Sequence, residues 1–91
     1  MSMAVAQCGF PVNITGTGNI SASSCQLQGF YVNSTTGGTL VLRKGGSGGT
    51  AISGTITPAI GFHRFPADVK GVLHATVANT INVTFFIASA N

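Results

Sequence analysis

The sequence predicts an all-β fold, a small antiparallel β-sandwich or jelly-roll-like barrel with an irregular N-terminal arm. Three observations predict it. Apolar and polar residues alternate with period two, and no window of ten or more residues carries a helical apolar stripe. Gly, Pro, Asn and Thr interrupt the chain every few residues, with 13 glycines in 91 residues. The segments between these interruptions recur at about ten-residue spacing, as in sandwiches and barrels.

The elements follow in order. Residues 1–25 are the least regular and form the arm or edge segment. Within them, Gln7–Thr15 holds a strand that Pro11 confines to an edge, because proline has no N–H for an inner ladder. Gly16-Thr17-Gly18 breaks it, and Asn19-Ile20-Ser21 pairs briefly. Residues 26–91 form the β-sandwich proper, within one domain overall. Leu27–Asn33 is a strand, and Ser34-Thr35-Thr36-Gly37-Gly38 is a turn, rich in residues that tolerate positive φ. Thr39–Arg43 is the next strand, Lys44–Gly49 a loose connection, and Thr50–Thr57 a third strand with alternating polar and apolar positions. Pro58–Gly61 turns the chain. Phe62–Phe65 is short and stops at Pro66. Lys70–Val77 leads to a tight turn at Ala78-Asn79. Thr80–Ile87 is the clearest strand, with Ile81, Val83, Phe85 and Ile87 on one face and Asn82, Thr84 and Phe86 on the other.

A chain of 91 residues is one domain near the lower limit of what a single core can stabilise. Charged residues make up 5% of it, against about a quarter in ordinary globular domains. All five can be named: Arg43, Lys44, Arg64, Asp68 and Lys70. Ser and Thr fill the gap, 8 and 11 residues. At 44% hydrophobic the chain is not of disordered composition. It has too few charges to cover its own surface, so much of that surface is expected to lie against other subunits. The net charge of +3 weakly favours an acidic partner. No apolar run approaches the roughly 20 residues of a membrane helix. The first residues lack the basic start and apolar stretch of a signal peptide, so synthesis without Sec export is expected.

Catalysis is disfavoured. Acid–base chemistry on sugars needs a carboxylate pair, and Asp68 is the one carboxylate side chain. Cys8 or Cys25 with His63 or His74 has the right residue types for a nucleophile pair, but nothing in the spacing joins them. Buried thiols and strand histidines at a surface or subunit contact are expected instead. The same four residues lack the short clips of a zinc site. Free thiols are favoured over a Cys8–Cys25 bridge, since a reducing interior is expected during synthesis. Gly45-Gly46-Ser47-Gly48-Gly49 is a hairpin loop and not a phosphate loop, because the Lys precedes the glycines and a strand follows. Asn-x-Ser/Thr triplets at Asn13, Asn19, Asn33 and Asn82 arise readily in so Thr-rich a chain and are not taken as glycan acceptors. Four basic residues are too few for a nucleic-acid footprint. The candidate partner contacts are Arg43, Lys44, Phe62, Arg64, Phe65 and Lys70, with Phe10 and Val12 in the N-terminal segment, since aromatic and Arg side chains are the usual anchors of interfaces. Core packing is an equal alternative for Phe62 and Phe65.

From Gly29 to Ala88 the chain resembles small β-rich virion proteins of tailed bacteriophages. The residues that carry this are Gly29-Phe30-Tyr31-Val32-Asn33-Ser34-Thr35-Thr36-Gly37-Gly38-Thr39-Leu40-Val41-Leu42, Gly49-Thr50-Ala51-Ile52-Ser53-Gly54-Thr55-Ile56-Thr57-Pro58-Ala59-Ile60-Gly61 and Ala75–Phe86. The resemblance is one of style and includes no catalytic motif. It implies a capsid decoration or cement protein without enzyme activity or cofactors. It further implies a homotrimer on the capsid exterior of the virion, made in the host cytoplasm, with the major capsid protein as partner and no membrane or nucleic-acid role. It transfers no functional residues. The N-terminal segment lies outside it and is expected to reach over a neighbouring subunit. The alternative is a glycan- or receptor-binding module of a phage fibre or tail, which the polar loops, Tyr31 and the asparagines would suit.

Overall fold

The computed structural model describes residues 10–89, and Cys8 with the rest of the first nine residues lies outside them. The described residues form six strands and no helix: β1 Phe10–Ile14, β2 Gly18–Asn19, β3 Cys25–Lys44, β4 Thr50–Ala51, β5 Gly61–Val69 and β6 Leu73–Ser89. All belong to one antiparallel sheet. Its centre is the long pair β3–β6, in register from Cys25↔Ser89 to Lys44↔Leu73. On the far side of β6 lie β1, from Phe10↔Ile87 to Ile14↔Val83, and β2, at Gly18↔Ala75 and Asn19↔His74. On the far side of β3 lie β5, from Cys25↔Val69 to Val32↔Gly61, then an isolated bridge at Leu40↔Ile56, then β4. Residues 10–19 are thus an edge segment of the chain's own sheet, and Pro11 sits on the edge strand as its missing N–H requires. Among the described residues no pairing joins β1 to β5, so the sheet stays open.

The central pair cannot be straight. Twenty residues of flat strand would run about 63 Å at ~3.3 Å per residue, yet the longest dimension of the molecule is 42 Å. Cys25 pairs with Val69 and Lys44 with Leu73, and only residues 70–72 separate those partners. The two ends of β3 therefore lie within about 25 Å of each other. The strand bends back over itself, and β6 bends with it.

The bend falls where the ladder is irregular. Registers shift between Val32 and Ser34 and between Thr36 and Gly37. Gly37 has φ 64°, and Asn79 across the ladder has φ 62° and donates from Nδ2 to the Gly37 carbonyl at 2.9 Å. At Gly38 a Cβ would sit 2.6 Å from both Ile81 Cβ and the Thr80 carbonyl oxygen, so only glycine lets the ribbon close on itself there. A further irregularity between Leu27 and Gly29 switches which residues face inward, from Cys25 and Leu27 to Phe30 and Val32.

Bending brings two arms of one sheet onto one core. The first arm supplies Leu27, Phe30, Val32, Val83 and Phe85, and the second Leu40, Leu42, Leu73 and Ala75, all in a single buried cluster. Phe30 and Phe85 are cross-strand partners with ring centroids 5.5 Å apart. Burying each large side chain contributes about 1.5–3 kcal/mol.

The all-β, antiparallel expectation holds, with one folded sheet where a sandwich or barrel was expected. Four local expectations are corrected. Ser34–Gly38 and Ala78-Asn79 do not reverse the chain, because the two sites face each other across the ladder and bend both strands together. Thr50–Thr57 contributes only Thr50–Ala51 and the bridge at Ile56 to the sheet. The short strand does not stop at Pro66, because β5 is an edge strand at that point and continues to Val69.

Candidate functional site

Cross-strand pairs share a sheet face, so the register fixes what the outer face of the first arm displays. One row across the strands runs Pro11, Phe86, Gly29, Arg64. The next runs Asn13, Thr84, Tyr31, Phe62. Beyond it stand Asn82 and Asn33.

The middle of this face is aromatic. Phe62 is 55% and Tyr31 42% exposed, and the Phe62 and Phe86 rings lie 6.1 Å apart between centroids. Gly29 makes room for this arrangement. A Cβ there would fall 2.9 Å from Phe62 Cζ and 2.6 Å from the His63 carbonyl oxygen, so the Phe62 ring lies over bare backbone.

One side of the aromatic strip is an amide cluster. Asn13 Nδ2 donates to Asn82 Oδ1 at 2.7 Å and to Thr84 Oγ1 at 3.0 Å. From the opposite neighbouring strand, Asn33 Nδ2 donates to the same two acceptors at 3.2 and 3.0 Å. These bonds lock the side chains and leave groups over. Asn13 Oδ1, Asn33 Oδ1 and Asn82 Nδ2 have no hydrogen-bond partner among the described residues. The cluster's own bonds thus leave two acceptors, on the exposed Asn13 and Asn33, and a two-hydrogen donor, on the half-buried Asn82, unused. On the other side of the strip is an open groove lined by Gln26, Gln28, Arg64, Pro66 and Asp68, with Leu27 and Ala67 beneath.

The second arm's outer face is different. Arg43 lies across it, half-buried, donating from Nε to Thr76 Oγ1 at 3.1 Å and from Nη1 to the Gly49 carbonyl at 3.3 Å. His74, next to it in the ladder, is buried at 4% exposure. Its Nδ1 lies 2.7 Å from Asn19 Oδ1. That oxygen only accepts, so the ring donates from Nδ1, and the other ring nitrogen, Nε2, is buried without a partner among the described residues. The expectation of a histidine at the surface or a subunit contact is corrected for His74, since Asn19 and Arg43 flank its ring.

The structure divides the candidate contacts. Phe10, at 67% exposure, and Phe62 stand outward. Val12 and Phe65 pack against the chain's own core, as does the inward side of the edge segment. Arg43 is engaged within the chain. Lys44 and the residue pair Asp68–Lys70, an ion pair at 3.2 Å, come together at one end, because Gly45 N–H donates to the Val72 carbonyl beside them. Cys25 is a free, buried thiol, and the expectation about a bridge involves Cys8, outside the described residues. Among the described residues no three His, Cys, Asp or Glu side chains gather where they could hold a metal ion.

The sequence reading set aside the triplets at Asn13, Asn33 and Asn82 as glycan acceptors and named the asparagines only as suited to the alternative, a glycan- or receptor-binding module, without joining them in one place. They lie far apart in the chain, and only the register of β1, β3 and β6 joins them. No protein family, no curated protein and no solved structure matches this chain.

Proposed function

We propose that this chain is a structural virion protein, a decoration or cement protein that seats on the capsid exterior, as a homotrimer, where subunits of the major capsid protein meet. The observation that carries the reading is the segregation of charge. All five charged residues lie in 43–44 and 64–70, so residues 10–42, 45–61 and 71–89 carry none. In the fold this leaves the bend, residues 33–39 and 78–82, uncharged, together with the connection between β4 and β5 that runs beside it. That connection exposes Ile52 at 37% and Ile60 at 63%. A charge-free end of Ser, Thr, Asn and Gly with two exposed isoleucines beside it is a poor surface for a free monomer and a good one for burial against a protein. Both edges also carry a proline, Pro11 on β1 and Pro66 on β5, which disfavours open-ended strand addition and directs association to other surfaces.

Copy number in purified particles tests this. The chain is expected in many copies per particle, and Ile60→Glu is expected to reduce its incorporation by about tenfold or more, since it places a charge in a buried contact. Absence of the chain from particles, or unchanged incorporation of the folded variant, overturns the reading.

A further inference from the structure

We infer that the outer face of the first arm is a binding site for a neutral oligosaccharide, with Tyr31, Phe62 and Phe86 as the stacking surface and Asn13, Asn33 and Asn82 as the hydroxyl-reading groups. This goes beyond the assembly reading and does not rest on it, because the aromatic strip and the amide cluster carry it and the exposed Ile52 and Ile60 do not, although the site borders the bend at Asn33 and Asn82.

Three observations point to a sugar. The first is chemistry. A pyranose ring presents an apolar C–H face and a rim of hydroxyls, each of which both donates and accepts. The face offers aromatic rings beside a cluster whose unused groups are two acceptors and a two-hydrogen donor, fixed by their own mutual bonds. Prior ordering of this kind lowers the entropic cost of binding. The second is charge. The aromatic strip and the amide cluster contain none, and Arg64 stands only at the rim, beside the groove. An acidic ligand would find one cation, whereas a neutral one loses nothing by its absence.

The third is size. Four strands at ~4.8 Å spacing, crossed by about six residues along each, give a face of roughly 15 by 20 Å, or about 300 Å². A standard protein interface takes about 800 Å² from each partner. A second copy or another protein seated here alone would be held weakly, while a short oligosaccharide would cover the strip from the amide cluster to the groove. The groove continues the site with Gln26 and Asp68, polar groups of the kind that orient a sugar at its next ring.

The test is a glycan array of neutral and acidic oligosaccharides probed with the full chain, followed by calorimetric titration of the best neutral hit. Binding of a neutral oligosaccharide is expected. Phe62→Ala and Tyr31→Ala are each expected to weaken it by about tenfold or more, and Asn33→Ala by several-fold. Ile60→Glu is expected to leave it unchanged, which separates this site from the assembly surface. Circular dichroism and a thermal melt establish that each variant is folded. If Phe62→Ala fails to fold, Tyr31→Phe and Tyr31→Ala decide, since the ring-keeping change should bind and the ring-deleting one should not. Four outcomes overturn the inference: no neutral hit at millimolar ligand, binding indifferent to both Tyr31→Ala and Asn33→Ala, selection of acidic sugars lost in Arg64→Ala, or a dimer by light scattering that Phe62→Ala dissolves without any sugar binding.

Discussion

The two arms of the folded sheet have the same inner face and opposite outer ones. Inward, both present apolar side chains to one core, aliphatic and aromatic from the first arm and aliphatic from the second. Outward, the first arm exposes Tyr31, Phe62 and three hydrogen-bonded asparagines, while the second covers its polar groups with its own side chains, burying His74 beneath Asn19 and Arg43. An asparagine sits at a strand edge in both. In the first arm Asn13 belongs to a cluster with groups to spare, and in the second Asn19 accepts from a buried ring. The difference teaches that this small chain uses one outer face to complete its fold and keeps the other free of that duty.

The equivalence of the inner faces is the part of this comparison whose failure would show most. Phe30 from the first arm and Leu40 from the second are both fully buried in the shared cluster. Truncation leaves a cavity in either case. Phe30→Ala is expected to cost about 3–5 kcal/mol and Leu40→Ala about 2–5 kcal/mol, measured by urea denaturation. Both variants should lose stability in a single transition. If the Leu40 variant unfolds in two steps, the arms have separate cores and the one-sheet account is wrong.

How much of this was legible in the sequence differs between the local and the long-range. The edge strand at Phe10–Ile14 was legible from Pro11, and the inward face of Ile81, Val83 and Phe85 from strict alternation. The turn signals at Ser34–Gly38 and Ala78-Asn79 were also legible, and Gly37 and Asn79 both adopt positive φ. What they could not say was whether the chain reverses there. A turn and a bulged bend use the same residues, and the difference is set by which other strand lies alongside. The amide cluster was hidden for the same reason, because Asn13, Asn33 and Asn82 are assembled by register alone. Phe62 and Phe65 were left with the same two alternatives, interface or core, although three residues of one strand separate them. β5 alternates strictly from Gly61 to Val69, and residues three apart on a strand point to opposite faces, which leaves Phe62 outward and Phe65 against the core.

The outer faces differ by a smaller energy, which paired asparagine substitutions read. Asn19→Ala removes the acceptor from a buried imidazole whose other nitrogen already lacks a partner, so the full desolvation of Nδ1–H is left uncompensated. A loss of about 1–3 kcal/mol is expected. Replacing His74 as well, as Asn19→Ala with His74→Leu, removes both polar groups and should recover part of that loss, a non-additivity that a double-mutant cycle measures. Asn33→Ala, in the solvent-facing cluster, should cost no more than about 0.5 kcal/mol. Equal effects at Asn19 and Asn33 would mean that the first arm's cluster is also part of the folding energy, and its role as a free binding surface would weaken.

The smallest effect concerns the charges themselves. Lys70 and Asp68 form the one ion pair among the described residues, and their side chains are 76% and 53% exposed. In water such a pair gains little, because solvent screens the attraction and both chains lose rotamer freedom. Lys70→Ala should therefore change stability by less than about 1 kcal/mol, with the remaining effect reduced further in high salt. That near-zero result is informative. With Arg43 held inside the chain and the ion pair dispensable, Lys44, Arg64 and Lys70 are cations the fold does not need. A larger loss would mean instead that the charged end is held together by its ions, leaving the chain without spare charge to offer a partner.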